Sequence, residues 1–269
     1  MDYGAPGLVA GIERTSVPTG AVALWWLGQA SFVIKGAATT VYVDPYLAQS
    51  DRRLSPPPFP PNAVTNADIV LLTHDHGDHV DPQALPEIAR ASPRATFVAP
   101  RPIAARVRDL VGDTRVEAAV AGKPLTLGGI DVLPVPAKHE EFDETEDGYP
   151  YLGYTVRLGG VTLHHTGDTI PYEGHVERAR EHRVHVALVP INGRDYYRTR
   201  AGTIGNMDYR EAAEFVVQIA ADVAIPIHYG MFRGNTVPPG HFVSYLHEFH
   251  PEQSVHVMGR YARFLYSLG

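Results

Sequence analysis

The stretch His74-Asp75-His76-Gly77-Asp78-His79 sets three imidazoles and two carboxylates within six positions, directly after residues 68–72, a run without polar alternation. Such a run suits a strand buried on both faces, and Thr73 and His74 follow it at once, so the histidines stand at a strand's carboxyl end. Gly77 is free to adopt backbone angles that other residues resist, so the loop can curl around a metal. Neutral imidazole together with carboxylate suits zinc, manganese or iron, and more ligands than one tetrahedral set needs imply two ions. The alternative is a polar loop whose histidines only hydrogen-bond.

The rest of the chain alternates strand-like and helix-like segments. Residues 22–27, 31–35 and 40–43 read as an antiparallel meander punctuated by Gly28 and Gly36. Ser55 to Pro61 reads SPPPFPP, which forbids regular pairing and suggests a stiff surface excursion at the rim of a site. Helical periodicity covers 82–91 and 100–110, with a strand over 95–98 between them. Further strands are expected over 130–135, 151–158, 161–165, 186–189 and 223–227, and helices over 172–183 and 208–220. Strands then helix, given twice without a linker, predict an α+β chain. Its two mixed sheets pack face to face with helices outside, a four-layer αββα sandwich. The whole of 1–269 reads as one domain with residues 1–20 as a loose N-terminal segment.

Composition removes several classes of function. Cysteine is absent, so disulfides, thiolate ligands and cysteine nucleophiles are excluded together, and any metal must rest on His, Asp or Glu. A formal net charge of -7 argues against a phosphate-backbone footprint and hence against nucleic acid. No stretch approaches the roughly 20 apolar residues of a membrane span. The first residues lack a basic n-region and an apolar h-region, and the chain is expected in the cytoplasm. Assembly into a homo-oligomer stays open.

Two metals need ligands beyond one loop, each at or just after a strand end. Three residues qualify. His139 follows 130–135 and is the single histidine between His79 and His164. Asp168 follows the 161–165 strand, where its two oxygens could bridge two ions or, alternatively, cap the next helix. His228 follows 223–227, although an isolated histidine there also reads as a packed or surface residue. Of His164 and His165, alternation sends only one towards such a site, in a packed or supporting role.

His74-x-His76-x-Asp78-His79 followed by His139, Asp168 and His228 resembles the ligand set of the metallo-β-lactamase superfamily over residues 24–232. Trp26-Leu27-Gly28-Gln29-Ala30-Ser31-Phe32 and Val43-Asp44-Pro45-Tyr46-Leu47 are similar to that fold's opening hairpin and its early aspartate. The resemblance implies that Asp44 supports a ligand histidine. Val189-Pro190-Ile191-Asn192-Gly193-Arg194-Asp195, Asn206-Met207-Asp208 and Ile225-Pro226-Ile227-His228-Tyr229-Gly230-Met231-Phe232 resemble the L-ascorbate-6-phosphate lactonase family. This narrower likeness implies manganese or zinc and a sugar-derived lactone, phosphorylated or not. Gln29 departs from it, because related sequences often carry histidine there.

The resemblance further implies that His74, His76 and His139 hold one ion, that Asp78, His79 and His228 hold the other, and that Asp168 bridges them. A hydroxide between the ions would attack a carbonyl, with Asp78 orienting it as the catalytic carboxylate. Asn192, Arg194, Asn206 and Arg233 are the candidates for binding an anionic sugar derivative. The rivals are a phosphodiesterase or nuclease of the same fold and a non-hydrolytic or redox metal protein.

Overall fold

The computed structural model describes residues 3–112, 115–140, 142 and 144–269. In chain order its elements are α1 (Leu8–Arg14), β1 (Ala21–Gly28), β2 (Ser31–Lys35), β3 (Thr40–Val43), β4 (Ile69–Leu71), α2 (Leu85–Ala91), β5 (Thr96–Pro100), α3 (Ala104–Val111), β6 (Val116–Ala119) and β7 (Leu125–Leu127). They continue with β8 (Ile130–Pro136), β9 (Leu152–Leu158), β10 (Val161–His165), α4 (His175–Arg180), β11 (Val186–Pro190), α5 (Tyr196–Arg200), α6 (Tyr209–Gln218), β12 (Val223–Ile227), α7 (Gly240–Phe249), β13 (Ser254–Val255) and β14 (Arg263–Ser267).

Two seven-stranded sheets result, one ordered β14-β1-β2-β3-β4-β5-β6 and the other β13-β12-β11-β10-β9-β8-β7. Each is mixed in the same way. In the first, β1, β2 and β3 pair antiparallel and β3 through β6 run parallel; in the second, β7 through β10 pair antiparallel and β10 through β13 run parallel. The expected α+β architecture, with two mixed sheets and helices outside, is therefore the observed one.

Burial on both faces explains why the strands lack polar alternation. All eight residues of β1 are buried. Val22, Leu24 and Trp26 enter a core shared with Tyr154, Val156 and Leu163 of the second sheet. Their neighbours Ala23, Trp25 and Leu27 pack instead with Ile12 of α1, Ile88 of α2 and Val107 of α3. On the far side, Ala212, Phe215 and Val216 of α6 and Phe242 and Leu246 of α7 cover the second sheet. A strand between a sheet and a helix layer has no solvent face to mark with polar residues.

Three expectations are corrected. Residues 1–20 are not loose as a whole, because α1 occupies Leu8–Arg14 and buries Val9 and Ile12, three apart on one helical face. The SPPPFPP segment is not a surface excursion: Phe59 is fully buried, and the carbonyls of Pro57 and Pro58 accept from the backbone N–H of Gly4 and Ala5. The helix expected over 172–183 is confined to His175–Arg180. Among the described residues, no helix is long and apolar enough to cross a membrane.

Candidate metal centre

Parallel strands deliver the chemistry to one end of the sandwich. Asp44 directly follows β3, Thr73 and His74 come just after β4, His139 and Asp168 come shortly after β8 and β10, and His228 directly follows β12. Open α/β sheets gather ligands at the carboxyl ends of their strands for the same reason.

Asp44 organises the first of these ends. It is fully buried and left-handed, at φ 43°. Its Oδ1 accepts from the Thr73 backbone N–H at 2.8 Å, and its Oδ2 accepts from the Thr73 hydroxyl at 2.7 Å. His79 Nδ1 lies 2.7 Å from the same Oδ2. A carboxylate on one ring nitrogen fixes the tautomer and turns Nε2 outward as a lone pair. The loop itself closes as a helical turn, the N–H groups of His79 and Val80 both donating to the His76 carbonyl. Asp81 secures its exit, accepting from the N–H groups of Leu47, Ala48, Gln83 and Ala84. Gly77 is not needed for unusual backbone angles, as it is absent from the left-handed residues; a Cβ there would meet nothing within 4 Å. Gly77 is instead an exposed residue of the cavity lining, a correction to the expectation drawn from the sequence.

All seven side chains singled out in the sequence converge. His74 Nε2 and His76 Nδ1 stand 2.9 Å apart, and the His139 ring centre lies 5.2 Å and 5.1 Å from theirs. Asp168 Oδ2 is 2.9 Å from His228 Nε2, 3.6 Å from His79 Nε2 and 3.8 Å from His139 Nε2. Asp78 Oδ2 is 3.9 Å from His79 Nε2. Three overlapping groups, His74/His76/His139, His74/His79/Asp168 and Asp78/His79/His228, each bring ligand atoms within 4.8 Å of one another. Separations of this order are those of donors around a divalent ion with bonds near 2.0–2.2 Å.

Protonation suits cations as well. Burial, reinforced by His79, pushes the His74 imidazole well below its usual range, and burial brings His139 down to about 4, so both keep lone pairs. Burial alone would raise the Asp168 carboxyl, but His228 and His79 outweigh it and hold it well below the carboxylate range. His79 is raised well above its ordinary value, since Asp168, Asp44 and Asp78 overcome its desolvation. The cluster thus gathers positive charge at His79, where a divalent ion would supply it directly. His79 Nε2 and Asp168 Oδ1 are buried without a hydrogen-bond partner. Orphaned polar atoms inside a ring of His and Asp fit a metal centre.

Glu140 and Gly167, which the sequence did not single out, and Gln29, read there only as a departure from the family pattern, are supports. Glu140 directly follows His139; its Oε1 lies 3.2 Å from His76 Nε2, and its Oε2 accepts from the Tyr151 hydroxyl at 2.8 Å. The Tyr151 bond, stronger than the opposing desolvation and aided by His76, holds the Glu140 carboxyl below its usual value. Gln29 is fully buried at φ 52°, and its carbonyl accepts from Trp26 Nε1 and the His228 N–H. Its Nε2 donates to Asp78 Oδ2 at 3.0 Å and lies 3.1 Å from His228 Nε2. His228, at φ 60°, is a third non-glycine left-handed residue here; such backbones concentrate where surroundings over-determine a functional geometry. Gly167, before Asp168, has φ 65° and would bring a Cβ within 2.5 Å of the Leu152 carbonyl, so only glycine fits.

The centre opens into a cavity of about 500 Å³, whose walls include Asp78, His139, Asp168, Gln83, Arg52 and Asn235. The four substrate candidates lie off its wall. Asn192 and Asn206 are fully buried, Asn192 donating to Asn235 Oδ1 and accepting from Asn206 Nδ2. Arg194 is clasped by both oxygens of Glu211 and donates to the Asn206 carbonyl. Arg233 lines a smaller adjoining pocket.

The sequence model of the beta-lactamase superfamily domain matches residues 39–229. A UPF0173 metal-dependent hydrolase of Thermococcus kodakarensis is 33% identical over 216 residues, 80% of this chain and 85% of the relative. The chain belongs to the UPF0173 metal-dependent hydrolases of the metallo-β-lactamase superfamily. Another member of this hydrolase family, from Hyperthermus butylicus, is 30% identical over 241 residues, covering 87% of this chain and 94% of its own. Among solved structures, the hydrolase fold matches Igni18, a metallo hydrolase from the archaeon Ignicoccus hospitalis, with a TM-score of 0.73 at 21% identity, covering 93% of this chain and all of the other.

Proposed function

We propose that this hydrolase opens a sugar-derived lactone by addition of water at the ring carbonyl. In this reading two divalent ions, manganese or zinc, would be held by His74, His76 and His139 and by Asp78, His79 and His228, with Asp168 a candidate donor to either. The observation that carries it is the position of Asp168 Oδ2, within 3.8 Å of a ring nitrogen from His139, His79 and His228 at once. When bound, such ions act as Lewis acids and make coordinated water nucleophilic near neutral pH.

The chain's own groups do the remainder. Asp78 lines the cavity and keeps its Oδ2 engaged by Gln29 Nε2, so its carboxylate is oriented to align an attacking water, accept its proton and return it to the ring oxygen as the acyl C–O bond breaks, leaving a carboxylate and a hydroxyl. Glu140 and Asp44 hold His76 and His79 through the ring nitrogens that face away from the cluster. Ser50, Gln83 and Asn235 on the cavity wall supply hydrogen-bonding groups for sugar hydroxyls, and the rings of Tyr46 and Phe232 supply apolar contact. A compact, oxygen-rich ring matches such a wall better than a long apolar chain.

Purified enzyme reconstituted with manganese or zinc is to be offered sugar lactones and phosphodiesters, each with and without chelator. Lactone opening that chelator abolishes is the expected result. Cleavage of diesters alone would overturn the substrate reading, and lactone opening that survives complete metal removal would overturn the mechanism.

A further inference from the structure

Beside the main cavity lies a second pocket of about 330 Å³, lined by Arg52, Tyr197, Arg198, Thr203, Arg233 and Asn235 among others. The two cavities share Arg52, Thr203, Phe232 and Asn235, so they are compartments of one cleft. Their charge differs in sign. The main compartment contains Asp78, Asp81, Glu140 and Asp168, whereas no Asp or Glu lines the second.

The arginines of this region are not equivalent. Arg194 is taken by Glu211, and Arg198 by Asp195, with a further bond from Arg198 to the Asn192 carbonyl. These two hold the 192–208 segment together. Arg52 and Arg233 form no ion pair among the described residues; Arg52 lies over the Phe232 ring at 5.6 Å, and both are exposed at the pocket wall. Two uncompensated guanidinium groups facing one recess, in a chain of net charge -7, create a local positive potential with no structural partner. Guanidinium forks match the oxygens of phosphate and carboxylate in paired hydrogen bonds.

From this juxtaposition we infer that Arg52 and Arg233 form an oxyanion subsite, which receives a phosphate monoester or carboxylate carried by the substrate away from its reacting carbonyl. The inference rests on the adjoining cavity being the substrate site. It assigns specificity to residues separate from the metal cluster: neutral sugars leave both arginines unpaired, and an anionic group satisfies them. Arg198 and Asn235, already bonded to each other and to Asn192, complete the lining.

Binding can be read without catalysis. Glucose 6-phosphate and glucuronate, which have no lactone to open, are titrated calorimetrically into the metal-loaded enzyme, with glucose as the neutral control. The wild type is expected to bind at least one of the two anions and to ignore glucose; comparing them separates phosphate from carboxylate. R52A and R233A should each weaken that binding by about tenfold or more, the scale of a lost charge-assisted hydrogen bond, and R233K should recover part of it. Thermal melts and metal content of each variant confirm an intact fold and centre. Anion binding that is unchanged in R52A/R233A, or that vanishes with chelator and not with the substitutions, would overturn the subsite by moving the anion onto the metals. Failure of the wild type to bind either anion would overturn it as well. If the anions bind through the arginines but no lactone is opened, the subsite stands and the reaction assigned to the cleft falls.

Discussion

At the scale of single residues, the centre is a set of histidines whose orientation is decided by groups behind them. Asp44 is the clearest case, since one buried carboxylate oxygen serves both the Thr73 hydroxyl and His79 Nδ1. Asp44→Asn leaves the shape intact and removes the charge that favours a proton on Nδ1. The expected outcome is a metal affinity lower by about 10–100-fold with the fold retained, read by metal titration beside a circular-dichroism melt. Unchanged affinity would mean that His79 is oriented by packing alone. The ligand-type residues were legible in the sequence because dense His and Asp at strand ends have few other uses. Glu140 and the amide of Gln29 were not, because a lone Glu or Gln signals nothing until folding sets Glu140 3.2 Å from His76 Nε2 and Gln29 Nε2 3.0 Å from Asp78.

At the scale of elements, the strands that carry ligands were the readable ones. Thr40–Val43, Val161–His165 and Val223–Ile227, which lead to Asp44, Asp168 and His228, all appear where apolar, β-branched runs place them. What escaped was peripheral. β6, β7 and β13 are two to four residues long, too short for periodicity to register. β14 reads Arg-Phe-Leu-Tyr-Ser, with an exposed leucine at the sheet edge that obscures its alternation. α1 escaped because Gly11 and its short length weaken the helical signal, yet Ile12 is fully buried against the first sheet. Ile12→Ala is therefore expected to destabilise the protein by about 2–5 kcal/mol, the cost of truncating a well-packed core side chain, measured by urea unfolding. A change within about 0.5 kcal/mol, as for a surface substitution, would mean that α1 does not pack on the first sheet and that the expected loose N-terminal segment stands.

At the scale of the whole molecule, layering sorts adjacent residues into different fates. His165 turns between the sheets, with Nε2 2.8 Å from the Ala30 carbonyl, while His164 turns outward to Thr155 Oγ1 at 2.9 Å and the Phe215 ring of α6. Burial, with smaller contributions from His165 and His182, brings the His164 imidazole down to about 3. In the unfolded chain the same ring takes a proton near pH 6.5. Its neutral, buried state therefore favours the fold fully above pH 6.5, and that contribution declines as the pH falls towards 3, because only the unfolded chain binds the proton over that window. His164→Gln keeps a partner for Thr155 and cannot titrate. Between pH 6 and pH 4 the unfolding free energy of the wild type should fall more steeply than that of the variant by about 1.4 kcal/mol per pH unit, one proton's worth. Urea titrations at pH 6, 5 and 4, run with chelator on both chains, read this difference while responses of the metal centre common to the two cancel. Parallel slopes would show that His164 is protonated within the folded sandwich, and that the layer between the second sheet and α6 admits charge that its packing implies it excludes.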